Sequence, residues 1–152
     1  MAYSDFTLRK FKKDFGLQID EQRNLFSSIP ALTCSDYLVQ TLQENVSLAI
    51  AINTEKARSE MMISPILLEV RRRAAGTLSL FSGTESNVDS DRGLNGYCNY
   101  ILSRSREQLT SNSPISVIVE AKNESIKEGL GQCAAEMFAT QILIGKKEPR
   151  LM

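Results

Sequence analysis

At 152 residues, 42% of them hydrophobic, the chain is long enough to bury one sizeable core and too short for two comfortable domains. Lys plus Arg and Asp plus Glu number 18 each, so no global positive field advertises a nucleic-acid partner, and the absence of His removes Ser-His and Cys-His nucleophilic catalysis and His-ligated zinc. Cys34, Cys98 and Cys133 are odd in number and lack a Cys-x-x-Cys pair, which argues against a disulfide scaffold and fits a reducing, cytoplasmic setting; no apolar run approaches the ~20 residues of a membrane span, and the N-terminus, with Asp5, does not read as a signal peptide.

Residues 6–26 mix basic residues with Phe6, Leu8, Phe11, Phe15, Leu17 and Ile19, a pattern of short elements rather than one long helix. Ser27-Ser28-Ile29-Pro30 reads as a break, and beyond it Thr33 or Ser35 caps a helix through Tyr37, Leu38 and Leu42. Leu48, Ile50 and Ile52 follow. A second helix is predicted from Thr54 to about Arg73, kinked near Pro65 because proline disfavours helical geometry in the residue before it. Met62, Ile63, Ile66, Leu67 and Val70 recur at helical spacing and are expected on the sheet, with Glu55, Glu60 and Glu69 on or beside that stripe. The chain divides at this level into an N-terminal helical segment, 1–52, and an α/β core, 53–152, together one compact domain.

Residues 76–83 alternate enough to be the first core strand, and 87–93, rich in Asn, Asp, Ser and Gly, are turn chemistry. Asp89 and Asp91 there lack the glycine and distal glutamate of a calcium loop. Residues 94–103, with Tyr97, Tyr100, Ile101 and Leu102, read as a second strand. The third is Ile115-Ser116-Val117-Ile118-Val119, running into Glu120-Ala121-Lys122. Strand alternation puts Glu120 and Lys122 on one face, side by side. A carboxylate can hold a divalent metal through hard oxygen, and an ammonium can orient a water or steady developing negative charge. Residues 123–132 then lead into a helix with apolar Leu130, Cys133, Ala134, Met137 and Phe138, and with Gly129 and Gly131 near its start. Gln132 on this helix reads by itself as a polar residue facing solvent. Two basic clusters, Arg71-Arg72-Arg73 and the pair Arg104 and Arg106, are either local phosphate-attracting patches or a solvated helix end and loop.

Strand, strand ending in Glu120-Ala121-Lys122, then a helix carrying Gln132 resembles the PD-(D/E)XK nuclease superfamily. More narrowly, Thr54-Glu55-Lys56-Ala57-Arg58-Ser59-Glu60 and Ser64-Pro65-Ile66-Leu67-Leu68-Glu69 resemble the helix signature of its small cyanobacterial members, the likeness running over 53–132. The resemblance implies a restriction-endonuclease-like mixed sheet flanked by helices, Mg²⁺ or Mn²⁺ as cofactor, and nucleic acid as partner. It implies Glu120 as metal ligand, Lys122 as the group that orients water or stabilises the transition state, and Gln132 as a positioning residue. It also implies a Glu from the first core helix at the metal, for which Glu60 is placed first because it shares a face with Ile63 and Leu67. The position matching the superfamily's metal-binding Asp is Asn99, whose amide keeps one oxygen for a metal but loses the charge that holds it.

The expected function is therefore a degenerate or weak metal-dependent nuclease-like domain associated with nucleic acid; the alternative is a non-enzymatic binding or assembly module on the same fold. One further expectation concerns the sheet. After the Gln132 helix the superfamily core adds a strand, whereas here Ile142-Leu143-Ile144 runs into a short polar segment, so the sheet is expected to lack its last strand and the chain to form a homo-oligomer that covers the edge.

Overall fold

The computed structural model describes residues 1–109, 115–123 and 125–145. A 3-10 turn, Tyr3–Asp5, opens the chain. Helix α1, Leu8–Phe15, follows, with the Thr7 hydroxyl accepting from the Lys10 amide at its start and left-handed Gly16 at its end. Helix α2, Asp36–Ile52, begins at Ser35, the second of the two residues the sequence offers as a cap, and ends at left-handed Asn53.

The helical stretch that follows has three parts: α3, Glu55–Arg58, capped by Thr54; a π-helical turn, Ser59–Ile63; and α4, Ser64–Arg73, with Pro65 in its first turn. The interruption thus lies just ahead of the proline. A π turn spends an extra residue per hydrogen-bonded ring, so it rotates everything beyond it relative to a regular helix. This explains two departures from the expected stripe: Leu67 is buried, but Ile66 and Val70 are exposed.

Strands β1, Ser79–Asp89, β2, Leu94–Ser103, and β3, Ile115–Val119, form an antiparallel sheet in the order β1-β2-β3. β1 starts later than predicted and continues through Gly83 and the first three residues of the supposed turn, 87–89. Only residues 90–93 connect it to β2, with the Gly93 amide on the Ser90 carbonyl and the Arg92 amide on Asp89 Oδ1. The architecture is mixed α/β, a three-stranded antiparallel sheet flanked by helices.

Helix α5, Ile126–Leu143, is packed by the start of the chain. Tyr3, Phe6 and Phe11 are almost wholly buried with Leu94, Ala135, Phe138 and Ala139, and each large side chain contributes ~2 kcal/mol by leaving water. A second cluster, Leu67, Tyr100 and Leu102 with Ile63, Leu78, Leu80 and Val119, seats the helical stretch on the sheet. Tyr100 pins the π turn, its Oη 2.9 Å from the Ser59 carbonyl and 2.8 Å from the Ser59 hydroxyl. Within 1–52, the start of the chain packs on α5, whereas α2 packs on the helical stretch 55–73, with Asn45 Nδ2 donating to the Met61 carbonyl. Among the described residues no helix is long and apolar enough to cross a membrane.

Candidate functional site

At the open end of β2 and β3 the strand register sets Tyr100 opposite Val119, and continuing it by one residue sets Asn99 opposite Glu120. Asn99 Oδ1 accepts a 2.8 Å hydrogen bond from the Ala121 amide, so the asparagine holds the turn out of β3. Lys122 folds back from that turn. Its Nζ lies 3.2 Å from Glu120 Oε1, 3.3 Å from Glu55 Oε2 and 3.4 Å from Gln132 Oε1. An ammonium carries three hydrogens, so all three have partners within the protein.

Gln132 approaches from α5 and donates from Nε2 to Glu120 Oε1 at 2.7 Å and to Glu136 Oε1 at 3.1 Å. Glycine makes the close approach of α5 possible. A Cβ at position 129 would stand 2.8 Å from Lys122 Cγ, and one at position 131 would stand 2.2 Å from the Phe6 carbonyl oxygen.

The cluster is electrostatically tense. Burial pushes the Glu120 carboxyl above its usual range, against the downward pull of the Lys122 ammonium. For Lys122 burial works downward, but its bonds and charge contacts with Glu120 and Glu55 win, and its affinity for its proton rises. Glu136, 1% exposed, is pushed up to about 8, chiefly by burial and then by the negative charge of Glu120. Burial, reinforced by Glu136 and Glu120, raises Cys98 and takes Cys133 up to about 11, so neither thiol is a thiolate nucleophile near neutrality. Glu120 Oε2 and Glu136 Oε2 are buried and, among the described residues, have no hydrogen-bond partner.

Of the residues expected at the site, Glu120, Lys122, Asn99 and Gln132 are brought together. Glu60 is not: it is exposed and pairs with Lys56 at 3.3 Å, while Glu55 is the acid of that stretch that reaches Lys122. The reason is the π turn. Placing Glu60 with Ile63 and Leu67 assumes a regular helix across 60–67, and the widened ring at Ser59–Ile63 breaks that periodicity. Glu136 was missed by sequence reasoning although it carries a signal: it is the one acid in the small and apolar run 133–140, one helical turn after Gln132.

Glu69 is buried elsewhere. It accepts from the Ser35 amide and hydroxyl and pairs with Arg72 and Arg73, whose guanidinium, Arg73 foremost, holds its carboxyl below the usual range. Two of the three arginines in the basic cluster are therefore spent on the helix junction. A cavity of about 740 Å³ lies away from the polar cluster, between α1, the segment after it, and the apolar side of α5 at Leu130, Cys133 and Met137.

The donor set does not complete a divalent-metal site. Glu120 Oε2 is buried and, among the described residues, unpartnered, but Asn99 Oδ1 is engaged by the backbone, Glu60 is remote, and among the described residues no group of three His, Cys, Asp or Glu side chains is placed to hold a metal ion. None of the family models, curated proteins or solved structures compared with the chain matches it.

Proposed function

We propose that the chain is a degenerate metal-dependent nuclease-like domain, of restriction-endonuclease-like architecture, that associates with nucleic acid and cleaves it weakly or not at all. The observation that carries this reading is the Lys122 ammonium, held by Glu120, Glu55 and Gln132 at 3.2–3.4 Å. Carboxylates that could serve a cation from solution are partly neutralised by one from the chain, and a lysine with three internal partners is not free to orient an attacking water. Asn99 in place of an acid removes a second negative ligand. Three free cysteines are in keeping with a cytoplasmic location for such a domain.

A second reading, a binding or assembly module on the same fold, is favoured by one feature. β3 pairs only with β2 among the described residues and presents Val117, 48% exposed, on the open edge of the sheet.

Calorimetric titration with Mn²⁺, together with binding and cleavage of labelled double-stranded DNA at low salt, separates the readings. Weak Mn²⁺ binding, salt-sensitive DNA binding and cleavage at the limit of detection are expected. Rapid cleavage overturns degeneracy, and no DNA binding at low salt leaves the assembly module.

A further inference from the structure

The side-chain amide of Gln132 occupies one of two orientations that differ by exchanging oxygen and nitrogen. As it stands, Nε2 has two hydrogens and two acceptors, Glu120 Oε1 at 2.7 Å and Glu136 Oε1 at 3.1 Å, and its carbonyl oxygen faces the Lys122 ammonium at 3.4 Å. Exchange would put the carbonyl oxygen against the Glu120 carboxylate and the amide hydrogens against the Lys122 ammonium, turning both contacts from attractive to repulsive, and would withdraw the donor that Glu136 Oε1 now accepts from.

The two acceptors differ in standing. Glu120 is itself a member of the cluster and pairs with Lys122. Glu136 stands behind it, one turn along α5 from Gln132, 1% exposed beside Ala135, Phe138 and Ala139. A residue kept there for packing alone would be apolar like those neighbours, because a buried carboxyl with an unpartnered oxygen lowers stability.

We propose that Glu136 is the positioning residue of this site: it takes one amide hydrogen of Gln132, and so fixes the amide with its nitrogen towards Glu120 and its oxygen towards Lys122. The role rests on reading the Glu120, Lys122 and Gln132 cluster as the working end of the domain. Through it Glu136 decides whether the Glu120 carboxyl meets a hydrogen-bond donor or a lone pair.

The test is the side-chain amide signal of Gln132 in a ¹⁵N-¹H spectrum of the full chain, assigned by its loss in Gln132→Ala. In the wild type its two hydrogens should be well separated in shift and slow to exchange with solvent. Glu136→Gln keeps an acceptor oxygen at the same reach and should preserve that signature. Glu136→Met, which keeps the volume, and Glu136→Asp, which keeps the carboxyl but withdraws it by one methylene, should each make one hydrogen exchange at least about tenfold faster. An unchanged Gln132 signal in the Met and Asp variants overturns the proposal, and should Glu136→Met fail to fold, Glu136→Asp decides. No metal or nucleic acid enters this measurement. A chain that binds neither, yet shows the expected amide behaviour, sinks the functional reading and leaves the positioning role standing.

Discussion

Gly129 lies directly against the aliphatic stem of Lys122, with the place its Cβ would take 2.8 Å from Lys122 Cγ and 3.1 Å from Cε. The lysine that closes the polar cluster therefore depends on a missing side chain in another element. Gly129→Ala should push the stem aside and free the ammonium, raising the reactivity of Lys122 towards an amine-acylating reagent while leaving the helical circular dichroism intact. Unchanged acylation would show that Lys122 is not held where the three contacts place it.

Gly131 makes a closer approach, and to backbone instead of to a bendable stem: its Cβ would meet the Phe6 carbonyl oxygen at 2.2 Å and the Leu8 amide nitrogen at 2.6 Å. Backbone cannot swing away as a side chain can, so Gly131→Ala should cost more than Gly129→Ala, at or above the ~1–3 kcal/mol of ordinary overpacking. Urea unfolding followed by circular dichroism measures both. Equal losses would mean that the start of the chain does not cross α5 so tightly.

Stability should fall on both sides of a mildly acidic optimum. Between the ordinary 4.5 and about 8 the folded chain keeps a proton on Glu136 that the unfolded chain has released, so stability declines as pH rises through this window, by up to about 1.4 kcal/mol per unit. Glu120, also raised, acts in the same direction. Glu69 is lowered, so its contribution is present above the ordinary carboxylate value and lost as pH falls below it. The melting temperature should accordingly be higher near about pH 5.5 than near about pH 8, and Glu136→Gln should flatten that alkaline decline. A variant with the wild-type slope would remove Glu136 as its source.

Asn99→Asp keeps an oxygen for the Ala121 amide and adds a negative charge opposite Glu120, whose buried Oε2 has no hydrogen-bond partner among the described residues. Mn²⁺ affinity should rise by about tenfold or more, since one added charge contact in a partly buried site is worth about 1.4 kcal/mol. Calorimetric titration of the two forms compares them directly. Equal affinities would acquit Asn99 of disabling the site.

Self-association is the outcome expected of the open β3 edge, and light scattering at micromolar concentration reads it. The apolar face of α5 at Ala135, Phe138 and Ala139 is covered by Tyr3, Phe6 and Phe11 and needs no second copy. What remains is strand pairing, so Val117→Lys on the exposed side of β3 should shift any dimer to monomer. A wild-type monomer would end this line of reasoning.

Glu120 and Lys122 were legible as a pair, although not through strand alternation, since β3 ends at Val119 and Lys122 folds back to Glu120 from the turn beyond it; Gln132 joined them only through the resemblance. Asn99 was named from the resemblance alone, and the antiparallel register of the structure sets it opposite Glu120. Glu55 was not legible, because a single widened turn at Ser59–Ile63 defeats any argument that counts residues at fixed helical spacing. The length of β1 was misread at Gly83, whose positive φ is accommodated inside the strand rather than ending it. Residues 110–114, 124 and 146–152, which include the segment expected to lack a last strand, lie outside the described residues.

The crossing of the first residues over α5 carries a consequence for how the chain acquires its shape. Phe6 and Phe11 find their apolar neighbours more than a hundred positions later, at Phe138 and Ala139, so during ribosomal synthesis they stay in water until nearly all the chain has emerged. Closing so wide a loop is slow, and two exposed phenylalanines are a ready target for chaperones in the interval.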